Sequence, residues 1–390
     1  MDATPKRAND GPGSRSGTWR PAECDRIALV LQGGGALGAY QAGVYEALHE
    51  VGLEPDWVDG VSIGAINAAL IAGNPPEKRL ERLHEFWELV TSRHLPDVFP
   101  HADDSRRVRN NIQALLTTLV GQPGFFTPNL PNPWLSMRGA KTATSIYDSS
   151  PLRRTLNRLI DFDRINADTM RFAVGAVNVE TGNFFYFDNA ATTIGPEHIM
   201  ASGALPPGLP MVRVGKSHYW DGGLVSNTPL AHLLDSVQGG NTLVFQVDLF
   251  SARGELPRDM PEVLARQKEI QYSSRTRMVT DTYRCLYRYQ AMLRETLAMV
   301  PESDLTPEQV AMKTELAGLP RLSILHLIYH KAAYEDQALD YEFSAVSMRE
   351  HWRRGYHDTR ETLQHRKWLE IPSAAAGIVV HDVHELERAL

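Results

Sequence analysis

Hydrophobic positions along this chain follow two rhythms. Uninterrupted apolar runs such as "RIALVLQ" (26–32) and "TLVFQVDLF" (242–250) have the character of strands covered on both faces of a parallel sheet. Tyr40, Val44, Ala47, Leu48 and Val51 instead recur at helical spacing, and Gly52 supplies a stop. Between the first strand and that helix stands "GGGALG" (33–38), so the chain opens as strand, glycine-rich turn and helix. This is the start of an α/β fold.

The pattern then repeats. "DWVDGV" predicts a short strand, and "IGAINAALIAG" a helix of small residues ending at "GNPP" (73–76). "ERLHEFWELV" continues as helix. Residues 121–135, "GQPGFFTPNLPNPWL", predict a long irregular loop, either a surface excursion or a wall of a binding site. "RFAVGAVNV" (171–179) and "NFFYFDN" (183–189) read as strands joined at Thr181-Gly182. "PMVRVGKSHYWDGG" (210–223) reads as a hairpin with Gly215-Lys216 at its tip. Thr228 is placed to cap a helix beginning at Pro229, and 242–250 is expected to be the last strand of the main sheet. From residue 251 onward the pattern turns mostly helical: a long run over 261–300, a capping box at "TPEQ" (306–309) and a helix at "SMREHWRRGYHDTRETL". "LSILHLIYH" (322–330) is a late strand candidate. The expected organisation is a flexible tail over 1–23, an α/β domain over 24–250 and a mostly helical extension over 251–390.

Composition narrows the class. A net charge of −7 argues against a general nucleic-acid binder. Two cysteines, Cys24 and Cys285, are too few for a disulfide framework and suit reduced thiols in a cytoplasm. The N-terminal residues lack the apolar segment of a secretory signal, and no stretch has the length of a membrane span. The expectation is a soluble cytoplasmic protein whose membrane contact, if any, is peripheral. Residues 253–300 carry nine Lys or Arg against six Asp or Glu, which suits either an anionic lipid surface or a solvated helix face.

The candidate chemistry lies at the turns. Gly60-Val61-Ser62-Ile63-Gly64 sits between a strand and a helix. A serine on so tight a turn projects its oxygen, and the residues two before and two after it approach closely, which glycine permits. The following helix N-terminus favours developing negative charge on that oxygen. "GGGALG" offers backbone amides for an oxyanion, with Gly34 and Gly35 the preferred donors and Gly33 and Gly38 permitting the turn. "DGG" (221–223) offers Asp221 as a base, with Gly222 and Gly223 allowing close approach to the serine. Two other readings share these residues. Gly33-x-Gly35-x-x-Gly38 also fits a dinucleotide fingerprint, with Asp56 or Asp59 as the ribose acid. A histidine triad would draw on residues such as His326 or His330.

Taken in order, "GGGALG", "GVSIG" and "DGG" resemble the motifs of the patatin-like phospholipase family, and "ASGALPPGLP" (201–210) resembles a further segment with Pro206 at the family's proline. The resemblance covers about residues 25 to 250. It implies a three-layer α/β/α domain with a mainly parallel sheet, Ser62 as nucleophile and Asp221 as base of a Ser–Asp dyad. It further implies an oxyanion hole built on Gly33, Gly34, Gly35 and Gly38, and hydrolysis of fatty-acyl esters without metal or cofactor. Leu37 stands where many members carry a cation, which weakens the case for phospholipid more than the case for ester hydrolysis. Another acyl ester, such as a hydroxyacid oligoester, would use the same chemistry. The implied substrate is a lipid or acyl ester, no nucleic acid is implied, and oligomeric state is left open. By the same resemblance the extension could cover the acyl channel, mediate assembly or touch lipid.

Overall fold

Strand β1 (Arg26–Leu31) is buried at every position but its first, as an apolar run between two helical layers must be. The computed structural model describes residues 20–91, 117, 119–331 and 341–382. In chain order β1 is followed by α1 (Ala39–Glu50), β2 (Trp57–Val61), α2 (Ile63–Ala72) and α3 (Pro76–Val90). The small strands β3 (Thr127–Pro128) and β4 (Tyr147–Asp148) pair with each other ahead of α4 (Ser150–Leu159) and α5 (Phe162–Asn166). Next come β5 (Arg171–Asn178), β6 (Phe184–Asp188), α6 (Pro196–Ser202), β7 (Val212–Val214), β8 (Ser217–Asp221), α7 (Leu230–Ser236) and β9 (Thr242–Asp248). The chain ends with α8 (Met260–Ala298), α9 (Pro307–Ala317), β10 (Leu322–Ile328), α10 (Ala345–Thr362) and β11 (Ile378–Asp382).

The main sheet runs β11-β10-β9-β1-β2-β5-β8-β7, with β6 also on β5. Its pairs from β11 to β5 are parallel, and β6, β7 and β8 are antiparallel. Strand alternation sends Ile27, Leu29 and Leu31 into a core shared with α1, α2 and α3, while Ala28 and Val30 face Leu230 and Leu233 of α7. The result is the expected α/β/α layering.

Three local expectations need correction. Strand β9 is not the last of the sheet: β10 pairs with it in parallel from Leu322↔Thr242 to Ile328↔Asp248, and β11 pairs with β10. The C-terminal part is mostly helical, yet it shares the sheet of residues 24–250. Helix α10 also packs on α1 at glycine contacts, where a Cβ on Gly43 would lie 1.9 Å from the Trp352 carbonyl oxygen and one on Gly355 2.0 Å from that of Tyr40. Thr228 does not cap α7, which starts one residue later behind Pro229; its hydroxyl instead accepts from Gln32 Nε2 at 2.9 Å and contacts Asp248 at 3.3 Å. Of the tail expected over 1–23, residues 1–19 lie outside the described residues. Arg20 is fastened to Asp56 at 2.6 Å, and Arg321 pairs with Glu23 at 2.9 Å. Among the described residues no helix is long and apolar enough to cross a membrane.

Candidate active site

Ser62 occupies the single residue between β2 and α2, at φ 56° and ψ −123°. For a residue with a side chain such a conformation costs about 1–3 kcal/mol and persists only where the surroundings enforce it. They do so through the flanking glycines. A Cβ on Gly60 would lie 2.4 Å from the Gly64 carbonyl oxygen, and one on Gly64 2.3 Å from that of Leu31. The Ser62 amide donates to the Ser202 hydroxyl at 3.1 Å, and that hydroxyl donates to the Gly175 carbonyl at 2.6 Å. Ser202 thus ties the elbow to the middle of β5.

Strand β5 also brings Asp221 to this point. It pairs with β2 as far as Val61↔Gly175, and with β8 from Ala176↔Asp221. Because Ala176 pairs with β6 on its other edge, β2 and β8 share one edge of β5, end to end. The last residue of β8 therefore arrives where β2 has just turned away. Gly222 permits the fit, since a Cβ there would lie 2.6 Å from the Gly175 oxygen and 3.0 Å from Val61. Asp221 is buried, its carboxylate accepts from the Gly223 amide at 2.7 Å, and it lines the same cavity as Ser62. Burial pushes its carboxyl up to about 7, and the nearby Ser62 hydroxyl and the Gly223 amide hold it from rising further.

Gly33, Gly34 and Gly35 line the same cavity as Ser62 and Asp221. The Gly33 amide is taken: it donates to the Asn227 carbonyl at 3.2 Å, while Asn227 Nδ2 donates to the Gly33 carbonyl at 2.9 Å. Its contribution is room, because a Cβ there would lie 2.9 Å from the Ser62 Cβ. The Gly34 and Gly35 amides donate to no other group among the described residues, and Gly35 needs its positive φ of 56°. Gly38 is not at the cavity. It packs against Ile63 and Trp87, and its carbonyl accepts from Asn67 at 2.9 Å. Gly33 and Gly38 are thus not in a position to donate to an oxyanion. Pro206 lies in the turn after α6, beside Leu205 of the cavity wall.

Away from the serine the cavity is apolar. Phe125 and Phe126 come from the irregular loop, Leu205 and Leu209 from the segment after α6, and Phe250 from the end of β9. Tyr272 of α8, with Tyr341 and Phe343, closes the wall from the C-terminal part. Neither rival reading finds its residues here. Asp56 lies before β2, at the opposite end from Ser62, and accepts from the Ile27 amide at 2.9 Å. Asp59 is fully buried inside β2 against His232. His326 bonds Asp248 at 2.6 Å, His330 contacts the Ile328 carbonyl at 2.9 Å, and neither lines the cavity. Sequence reasoning missed Ser202 and Asn227 as positioning residues, although Ser202 stands in the quoted "ASGALPPGLP". It also missed Gln32, whose Oε1 accepts from the Leu249 and Phe250 amides at 2.6 and 3.0 Å and so places the Phe250 wall.

Fold and site together define an α/β protein with a serine elbow facing a buried carboxylate. The family model described as patatin-like phospholipase matches residues 29–234, and one described as patatin phospholipase matches 270–375. The chain belongs to the patatin-like phospholipase family. Among curated relatives, lysophospholipase nte1 of Aspergillus terreus is 54% identical over 50 residues, which are 13% of this chain and 3% of that protein. Human patatin-like phospholipase domain-containing protein 6 is 45% identical over 67 residues, 17% of this chain and 5% of that protein. The matched segments are thus a small part of those relatives' length. Among solved structures, human GIVD cytosolic phospholipase A2 aligns at TM-score 0.44 and 11% identity, over 91% of this chain and 60% of that one. VipD from Legionella pneumophila aligns at TM-score 0.39 and 14% identity, over 87% of this chain and 67% of that one.

Proposed function

We propose that this protein is a serine hydrolase of fatty-acyl esters of lipids, acting through Ser62 and Asp221. The reading rests above all on one observation: Ser62, on its strained turn, and the buried Asp221 carboxylate line one largely apolar cavity. In the first half-reaction Asp221 takes the hydroxyl proton as Ser62 Oγ bonds to the acyl carbon. The carbonyl oxygen becomes an oxyanion, received by the Gly34 and Gly35 amides. Asp221 then passes its proton to the departing alcohol oxygen, leaving an acyl ester on Ser62. In the second half a water gives its proton to Asp221 and attacks that ester. Collapse releases the fatty acid and returns the proton to Ser62 Oγ. A carboxylate can act alone here because it has no tautomer for a third residue to fix, unlike histidine. Its raised affinity for protons brings it near the operating pH, which is where a base works best. We assign catalysis to residues 24–250 and a wall of the acyl channel to 251–390, on the strength of Tyr272, Tyr341 and Phe343.

The test is a panel of acyl esters, phospholipids and hydroxyacid oligoesters, run beside a serine-reactive fluorophosphonate. Hydrolysis of long-chain acyl esters and labelling at Ser62 are expected. Ser62→Ala should remove both, lowering turnover by at least ~10³-fold with the fold intact. Labelling elsewhere, or retained turnover in Ser62→Ala, would overturn the assignment.

A further inference from the structure

Several of the most exposed large apolar side chains among the described residues lie between cavity-lining Phe126 and Tyr147. Between β3 and β4 the chain runs outward, and at the tip Leu130, Trp134, Leu135 and Met137 are 86%, 92%, 82% and 84% exposed. A cluster of that kind marks an interaction surface. The tip is built, not frayed. The Asn132 side chain accepts from the Trp134 amide at 3.1 Å, and the Ser136 and Thr142 hydroxyls bond at 2.9 Å. Its neck is closed by the Asn129 amide on the Ile146 carbonyl at 2.9 Å.

The tip is also mounted on the cavity wall. The Ile146 and Tyr147 amides donate to the Pro207 and Gly208 carbonyls at 3.0 and 2.9 Å, and Phe126, Tyr147 and Gly208 line the cavity. Whatever the tip enters is thereby brought to the mouth of the site. Charge indicates what that is. From Gly121 to Tyr147 the chain has no Asp or Glu, while the tip carries Arg138 and Lys141, both exposed, in a protein of net charge −7. Trp, Leu and Met beside exposed cations match an anionic lipid–water interface, where the indole sits at headgroup depth and the cations meet lipid phosphate.

We propose that residues 130–141 form an interfacial anchor that inserts Trp134, Leu135 and Met137 into an anionic lipid surface, with Arg138 and Lys141 at headgroup level. It rests on the lipid-hydrolase reading only for what the docked site then does; binding itself needs no catalysis. The Ser62→Ala chain, which cannot consume the lipid, is co-sedimented with vesicles of phosphatidylcholine mixed with phosphatidylglycerol. Combining Trp134→Ala, Leu135→Ser and Met137→Ser should lower partition at least ~10-fold. Arg138→Glu with Lys141→Glu should weaken binding to the mixed vesicles far more than to pure phosphatidylcholine. With Ser62 restored, the triple variant should keep its turnover of a water-soluble short-chain ester and lose release of fatty acid from vesicles. A chain that shows the vesicle effect but hydrolyses nothing would sink the hydrolase reading and leave the anchor standing. Unchanged partition in the triple variant, or no binding by the parent chain, overturns the anchor. So does self-association through the tip in sedimentation velocity without vesicle binding, which would give the surface to a second copy.

Discussion

Among the buried aspartates of this sheet, Asp59 and Asp221 have opposite surroundings. Asp59, in β2, is met by His232 Nδ1 at 2.8 Å and by Trp57 Nε1 at 2.6 Å. Around it, His232 Nε2 lies 3.4 Å from Asp188, Arg171 pairs with Asp188 at 2.8 Å, and Arg171 stacks on the Trp57 ring at 4.1 Å. Two carboxylates thus meet two cationic groups. Asp221, at the end of β8, accepts from one amide, lies near the Ser62 hydroxyl and has no ion pair among the described residues. In the first arrangement burial still pushes the Asp59 carboxyl up, but His232 and Trp57 offset part of that rise. The second leaves a carboxylate poorly solvated and eager for a proton. Burial serves structure in one place and reactivity in the other, and the difference is the countercharge.

The largest effect that separates the two sites is expected from Asp221→Asn. Turnover of a chromogenic acyl ester should fall by at least ~10³-fold, since the amide cannot take the Ser62 proton. In the unchanged protein activity should rise with pH through about 7, because Asp221 must be ionised to act as base. Stability should move the other way. A carboxyl raised in the folded state from about 4 binds protons more tightly there than in the unfolded chain. Its ionisation therefore weakens the fold as pH climbs between about 4 and the folded value near 7. Above pH 7 the Asn variant should melt higher than the parent in calorimetry. An inactive variant that melts lower would mean that Asp221 is a structural residue.

His232→Ala should invert that outcome, with activity largely kept and stability lost. The change takes the cationic partner from buried Asp59, which keeps the Trp57 N–H, while Asp188 retains Arg171; breaking a buried pair from one side costs about 3 kcal/mol or more. Burial opposes the His232 charge, but Asp188 and Asp59 outweigh it and push the imidazole up to about 9. A histidine raised from about 6.5 contributes stability that is complete below that value and fades as pH rises through the folded one. The deficit of the variant in denaturant unfolding should therefore be largest below pH 6.5 and shrink through about 9. A deficit independent of pH would mean packing alone.

What the sequence revealed of this arrangement follows the range of the interactions involved. The elbow at Ser62, the hairpin ending at Asp221 and the capping box at Thr306 are each written in a few adjacent residues, and all form as read. The placement of β10 beside β9 is not, because parallel pairing joins Thr242 to Leu322 with no turn to announce it. The same limit hid Ser202 and Asn227. Their roles depend on contacts with Ser62, 140 residues away, and with Gly33, 194 residues away. Thr228 departs from its expected role for a related reason: its neighbours suit a cap, but Gln32 and Asp248 claim its hydroxyl.

Ser202 supplies the finest division between holding and reacting. It touches the backbone of Ser62 and not the hydroxyl, so it is a positioning residue. Ser202→Ala leaves the Gly175 carbonyl and the Ser62 amide without that partner, at about 1–3 kcal/mol for buried groups. The elbow should loosen and turnover fall by about tenfold, as expected of lost orientation rather than lost chemistry. KM should change little and the pH midpoint should stay at its parent value, because Asp221 keeps its surroundings. Ser202→Thr, which restores a hydroxyl, should recover part of the rate. A shift of the pH midpoint in Ser202→Ala would instead couple this hydroxyl to the proton on Asp221, and would erase the line between the residue that holds the elbow and the one that takes its proton.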